Sequence, residues 1–391
     1  MKVFIINSGS SSLKFKLFEM PAEKLICSGM VERIGSGSQR LVLRSDHHEL
    51  RETVQLETHR AALLKIVEML LDPENGVIAT KDEIEVVGHR VVHGGDKFSG
   101  TVEIDSQVKD EIRRFTSLAP LHNPPNLEGI EVGEEIFPRS RHLAVFDTGF
   151  HRTIPDVARK YAIPDYLYSR EGIQVYGFHG ISHRYVSRRA IETLDLPTSR
   201  IITIHLGNGC SMTAVKDGQS IDHSMGFSPS DGLIMGSRSG DIDQGVIFHL
   251  IRHLGYEPTA VDRLLTKESG MLGLTGFADL RDIESRAGEG DEVCSEALEM
   301  NAYRIRKYIG AYCAVMNGLD AIVFTAGIGE NSVLMRRLVC RDLEYLGIEL
   351  DEEKNERVSD GIESIASRNS RVAILVIPTN EELEMARQVA G

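Results

Sequence analysis

No apolar run in this chain approaches the roughly 20 residues that carry a helix across a bilayer. Only one lysine and five apolar residues precede Asn7, too few for a secretory leader. Cysteine is scarce as well: Cys27, Cys210, Cys294, Cys313 and Cys340 are an odd set with no CxxC pair. That excludes a disulfide framework and points to reduced thiols in the cytoplasm. An excess of positive charge is also missing. With 44 Lys and Arg against 58 Asp and Glu, the net charge is −14, which argues against nucleic acid or an anionic membrane as partner. An anionic ligand would have to be met by particular arginines and lysines, against the field of the whole molecule. Neither GxxxxGK[ST] nor a strand-linked GxGxxG occurs, so a Walker-type NTPase and a simple dinucleotide binder are set aside. There is no low-complexity segment or Pro/Gly/Ser-rich linker, so a domain boundary can be read only from repetition.

What is present fits a large α/β protein. At 391 residues the chain exceeds the size of a single hydrophobic core, and two domains are expected. Its 41% hydrophobic and 26% charged content is that of an ordinary globular protein. β-Branched segments (VFII, LVLR, IEVVGHRVV, HLAVFD, RIITIHL, AIVFTAG, RVAILVIP) alternate with helical patterns over 59–71, 183–194 and 296–316. A strand, a turn of glycine and small polar residues and a second strand occur twice, in VFIINSGSSSLKFKLFEM and in ITIHLGNGCSMTAVKDGQS. A shift of 200 places Gly9 on Gly209. Duplicated domains facing each other across a cleft are the expectation.

Four glycine-rich turns are expected at strand ends: NSGSSSLK (7–14), HLGNG (205–209), GLIMGSRSGDID (232–243) and GIGEN (327–331). Glycine there lets a ligand approach the backbone closely. Backbone N–H groups, the hydroxyls of Ser10 and Ser12 and the Lys14 ammonium suit an anion. Arg90 in VGHRVVHGG and Arg238 in MGSRSGD add guanidinium groups, which bind phosphate or carboxylate through paired bonds. Asp147, His122 and His179 lie in neighbouring motifs. His179 and His183 are four apart, as helical zinc ligands can be, but no carboxylate or cysteine completes the set. The pattern favours a phosphate-rich ligand.

Together NSGSSSLKF, GHRVVHGG, LAPLHNPPNL, VFDTGFH, YGFHGISH, HLGNG, MGSRSGDID, FTAGIGEN and PTNEE resemble the acetate kinase family. That family is the acetate/propionate/butyrate kinase group of the actin, sugar-kinase and Hsp70 ATPase superfamily. The match runs in order from residue 3 to residue 382. The resemblance implies two duplicated, ribonuclease H-like βββαβαβα domains around a cleft. These are 1–150, completed by a C-terminal helix at 382–391, and a nucleotide-binding domain at 151–381. It implies a cytoplasmic homodimer that transfers a phosphoryl group between ATP and acetate, giving ADP and acetyl phosphate, with Mg²⁺ (or Mn²⁺). Asn7 and Glu381 are implied at the metal. Ser10, Ser12, Lys14 and His205, Leu206, Gly207, Asn208 and Gly209 are implied at the ATP phosphates. Asp279, Leu280 and Arg281 with Gly327, Ile328, Gly329, Glu330 and Asn331 are implied at the nucleoside. Arg90 and His122 would meet the substrate carboxylate, with Val92, Leu121, Phe178 and Pro229 as the apolar wall. Asp147 is the family's acid/base residue, and His179 and Arg238 stabilise the transition state. Ser230, Asp231 and Gln244 depart from the family's FTPLEGLMMGTRSGDIDP pattern near the substrate pocket.

Carboxylate chemistry qualifies the role of Asp147. Acetate is ionised at neutral pH and has no proton for a base to remove. The expectation is that Asp147 orients Arg90, Arg238 or metal-bound water. A propionate or butyrate kinase is the nearest alternative. A sugar kinase would need a polar wall in place of Val92 and Phe178, and a non-enzymatic nucleotide switch would leave Arg90, His122, His179 and Arg238 idle.

Overall fold

The computed structural model describes residues 1–36, 39–45 and 48–391. Two compact units divide the chain, one formed by 1–150 with 380–391 and the other by 151–379.

In the first unit, β1 (Lys2–Ser8), β2 (Ser12–Glu19), β3 (Lys24–Glu32), β4 (Gln39–Ser45) and β5 (Glu49–Val54) precede β6 (Ile84–Val91), β7 (Val102–Glu103) and β8 (Arg141–Phe146). They form one sheet in the order β5-β4-β3-β2-β1-β6-β8-β7. The central β1 is buried from Val3 to Ile6, so its side chains are apolar on both faces. Phe4, Phe15 and Leu17 pack on Leu63, Ile66 and Leu70 of the helix His59–Leu70 and on Ile136 of the helix Asn123–Ile136. The first of these helices starts where the Thr58 side chain accepts the Ala61 N–H at 3.1 Å. The last helix, Glu381–Ala390, is capped by Asn380, which accepts the Leu383 N–H at 3.2 Å. It returns over β6 at Gly88, where a Cβ would stand 2.7 Å from Ile5 Cδ1 and 3.3 Å from Val389 Cγ1. Only glycine lets this helix come down beside Arg90, two residues further along β6.

The second unit contains β9 (Arg200–Leu206), β10 (Cys210–Lys216), β11 (Gln219–His223), β12 (Ala321–Thr325), β13 (Glu363–Ser364) and β14 (Ala373–Val376). Their order is β11-β10-β9-β12-β14-β13. In each unit two antiparallel pairings are followed by two parallel ones: β3-β2-β1-β6-β8 in the first and β11-β10-β9-β12-β14 in the second. The expected duplication of the fold is therefore present strand for strand. The β4–β5 hairpin is inserted in the first unit and a run of helices between β11 and β12 in the second.

The helices expected at 59–71, 183–194 and 296–316 are found at His59–Leu70, Gly180–Leu194 and Glu292–Met316. The third begins earlier because Asp291 accepts the Cys294 N–H at 3.1 Å. Two of the expected strand-end turns differ. GIGEN lies within a helix, Ala326–Asn331, entered through a left-handed Ala326 (φ 64°) and closed by Glu330 Oε1 accepting the Ala326 N–H at 2.8 Å. GLIMGSRSGDID follows β11 only after loop residues 224–231.

Gly29 tests the packing of the first sheet. A Cβ there would meet the Phe15 ring and stand 2.5 Å from the Val42 carbonyl oxygen, which cannot move without unzipping β3 from β4. Gly29→Ala should destabilise the protein by about 1–3 kcal/mol, read as a lower urea midpoint with unchanged far-UV dichroism in water.

Candidate active site

In the first unit Asn7 and Lys14 face each other across the β1–β2 hairpin, and the turn between them closes with Gly9 N–H donating to Ser12 O at 2.8 Å. Ser10 is exposed and Ser12 half-buried. Arg90 lies near the end of β6, and Asp147 directly follows β8, the next strand. The two form a paired contact: Arg90 Nε donates to Asp147 Oδ1 at 3.2 Å and Nη2 to Oδ2 at 2.5 Å. Arg90 Nη1 reaches Asn7 Oδ1 at 3.4 Å. The Asp147 side chain is 2% exposed, so this is a desolvated pair. Burial disfavours the Arg90 charge, but Asp147 and Glu381 outweigh it and hold the guanidinium above its ordinary pKa. Glu381 is the strained member. Burial pushes its pKa up, and repulsion from Asp147 and Glu382 adds to that, against the pull of Arg90 and Lys14.

The segment after Arg90 is pinned by the HNPPN motif. Asn126 accepts the Val92 N–H at 3.0 Å and donates to Ser8 O at 2.7 Å. Asn123 accepts the His93 N–H at 3.1 Å and donates to its carbonyl at 3.1 Å. These bonds tie the hairpin turn, the end of β6 and the start of the helix Asn123–Ile136 into one framework. His122 lies just before that helix and is half-buried, as is Val92. Leu121, expected in the apolar wall, is 59% exposed, because it precedes the helix on an outward-facing turn.

In the second unit His179 enters the helix Gly180–Leu194 in a left-handed conformation (φ 55°, ψ 25°), a strained setting for a side chain with a Cβ. Two buried histidines hold the peptide before it. His223 Nε2 accepts the Phe178 N–H at 3.1 Å, and His151 Nε2 lies 2.9 Å from Phe178 O. The His179 ring stacks on His205 with centroids 4.3 Å apart. Its Nε2 and the Arg238 guanidinium converge on Gly209, where a Cβ would stand 3.5 Å from His179 Nε2 and 3.7 Å from Arg238 Nη1. The glycine keeps that spot open. Arg238 Nη1 donates to Pro229 O at 2.9 Å, but the guanidinium has no carboxylate partner among the described residues. Burial holds its pKa below the ordinary value, opposed only by Cys210. A partly buried, uncompensated cation beside an open glycine is a ready anion site.

A cavity of about 800 Å³ adjoins the HLGNG turn. Gly207, Asn208, Asp279, Leu280, Arg281, Gly327, Ile328 and Asn331 line it, all of them expected at the nucleotide, together with Ala278, Glu284 and Ser332, which were not. Asp279 caps the helix Leu280–Gly288 and pairs with Arg281, which draws its carboxyl down to about 2. Three residues expected at the nucleotide also serve the fold. Leu206 is 2% exposed and belongs to the core. Glu330 accepts the backbone N–H groups of Ala326 and Thr379 at 2.8 and 3.0 Å. The Gly329 and Glu330 carbonyls accept from buried Arg336 at 3.0 and 2.8 Å.

Residues 2–387 match the acetokinase family model. The chain belongs to the acetokinase family. A relative from Flavobacterium johnsoniae named acetate kinase is 58% identical over 100% of this chain and 98% of its own. Among solved structures, Porphyromonas gingivalis acetate kinase has a TM-score of 0.93 at 42% identity, covering 100% of this chain and 98% of that one. A propionate kinase from Francisella tularensis also reaches 0.93, at 38% identity over 100% and 99%. ATP and ADP are therefore substrates in this acetokinase. Sequence reasoning missed Asn123, Asn126 and Arg336, which hold the segments around the site. The asparagines flank a Pro-Pro pair in LHNPPN, a pattern that marks the first turn of a helix and was the available signal, whereas Arg336 carried no local signal.

Glu381→Gln tests whether this carboxylate is held at a cost. The raised pKa means that the folded protein disfavours the Glu381 carboxylate relative to the unfolded chain. That cost is present at neutral pH and vanishes as pH falls below the unfolded carboxyl value, about 4.3. The variant should melt higher than its parent at pH 7, and the two should converge near pH 4.

Proposed function

We infer that this chain catalyses the reversible transfer of the ATP γ-phosphoryl group to acetate, giving ADP and acetyl phosphate. One observation carries the chemical side of this reading: Arg238, which has no carboxylate partner among the described residues, and His179 converge on an open glycine. Carboxylate attack on a phosphoryl group brings like charges together, and its transition state spreads charge over three equatorial oxygens. Fixed donors in a dry site offset that repulsion without reorganising. Arg238 and His179 take the transferring phosphoryl group, and the HLGNG turn and Lys14 take the ATP phosphates. The cavity lined by Asp279, Leu280 and Gly327 takes the nucleoside; its volume suits one.

Arg90 receives the acetate carboxylate. Asp147 occupies the Nε–Nη2 edge of its guanidinium and Asn7 Oδ1 takes one N–H of Nη1, leaving the second N–H of Nη1 and of Nη2, at the end of the fork, for the substrate, so we assign Asp147 an orienting role. Transfer is direct and in line. Val92 provides part of the apolar wall. Asn7 and Glu381 would hold Mg²⁺. Two oxygen donors fit an ion that keeps several waters and binds phosphate oxygens, and the strained Glu381 carboxylate gains from a cation. When bound, Mg²⁺ neutralises phosphate charge.

Among the described residues no helix is long and apolar enough to cross a membrane. We place the enzyme in the cytoplasm, where ATP and reduced thiols coexist, consistent with five buried, unpaired cysteines. We also propose a homodimer. The helix Gln244–Arg252 buries none of its residues and exposes Val246 and Phe248, a face suited to a second copy. Light scattering that gives the mass of one chain would remove that proposal.

An acyl-hydroxamate assay tests the activity, with acetate expected as the best acceptor. Arg238→Ala should lower kcat by a hundredfold or more, on the order of 3 kcal/mol; an unchanged kcat removes Arg238 from the reaction. The Francisella neighbour favours propionate as a second acceptor, and one methylene is worth only ~1–3 kcal/mol of discrimination. Val92→Ala should raise kcat/KM for propionate relative to acetate, and an unchanged ratio takes Val92 out of the wall.

A further inference from the structure

The two histidines of the HGISH segment share a hydroxyl. Ser211 Oγ lies 2.8 Å from His179 Nδ1 and 2.8 Å from His183 Nε2, and His183 Nδ1 lies 2.6 Å from Thr203 Oγ1. His183, Ser211 and Thr203 are each 0% exposed, so water does not substitute for a missing partner. Burial, with His151 and His205 nearby, holds the His183 pKa well below its ordinary value, so the ring is neutral and carries one N–H.

A serine hydroxyl has one proton, so Ser211 donates to one ring and accepts from the other. Two arrangements satisfy the count. In the first, Thr203 donates to His183 Nδ1, His183 Nε2–H donates to Ser211, and Ser211 donates to His179 Nδ1. In the second every bond is reversed, and the buried Thr203 proton has no acceptor among the described residues. Buried hydroxyl groups left without an acceptor are costly and rare, which selects the first arrangement. His179 Nδ1 is then an acceptor, and the ring proton sits on Nε2, the nitrogen beside Gly209 and Arg238.

We propose that Thr203, His183 and Ser211 are positioning residues that fix His179 in the Nε2–H tautomer, so that it meets the phosphoryl oxygens as a donor. This rests on the reading of His179 at the transferring group. With its proton on Nδ1 instead, the ring would present a lone pair to an anion and repel it. The left-handed backbone and the stack on His205 set the plane of the ring, and the relay sets its proton.

The full-length protein with isotope-labelled histidine, read through proton–nitrogen couplings at neutral pH, should show His179 and His183 both protonated at Nε2. A proton on Nδ1 of either ring overturns the relay. In turnover, Ser211→Ala and the isosteric Thr203→Val should lower kcat by about ten- to a hundredfold with KM for ATP and acetate within about twofold. Thr203→Ser, which keeps the hydroxyl, should retain the parental kcat. Parental rates in Ser211→Ala and Thr203→Val also overturn the relay. His179→Ala separates the two levels: a retained kcat removes His179 itself from the reaction, whereas a lost kcat beside an intact Ser211→Ala rate removes only the relay.

Discussion

A guanidinium withdrawn from water with no carboxylate beside it is unfavourable, and the fold around Arg238 sustains that arrangement. Among the described residues its sole oxygen partner is the Pro229 carbonyl, and burial weakens its hold on its proton. Arg90 is the contrasting case, with Asp147 on one edge of its fork and Glu381 in electrostatic reach. A compensated arginine is rigid and directional, which suits gripping a small carboxylate. An uncompensated one gains most when charge arrives, which suits a transferring phosphoryl group. An acidic chain of net charge −14 thus treats its two key arginines in opposite ways.

The outline of the fold was legible because its signals are local. β-Branched runs marked the central strands, and the alignment of Gly9 with Gly209 exposed the duplication later seen in strand order. The cavity-lining residues Asp279, Leu280 and Gly327 were legible through the family resemblance, since each lies in a recognisable motif.

Side-chain direction was not legible. HLGNG reads as one ligand-binding unit, yet Leu206 points into the core. In GIGEN, Glu330 turns back to hold the backbone of Ala326 and Thr379. Leu121 sits in a motif with His122 but faces outward. The histidine network is the furthest from local reading. Its members come from the end of β11, two neighbouring strands, a helix and the segment before it, and none of their spacings announces a shared hydroxyl.

The return of the last helix over Gly88 has a consequence for biosynthesis. Glu381 and the residues that follow it complete a unit whose strands all lie within the first 150 positions. The ribosome must translate the entire second unit before that missing piece emerges. Until then the early strands wait with the seat beside Arg90 unfilled, so the first unit cannot reach its final packing until the second has been synthesised.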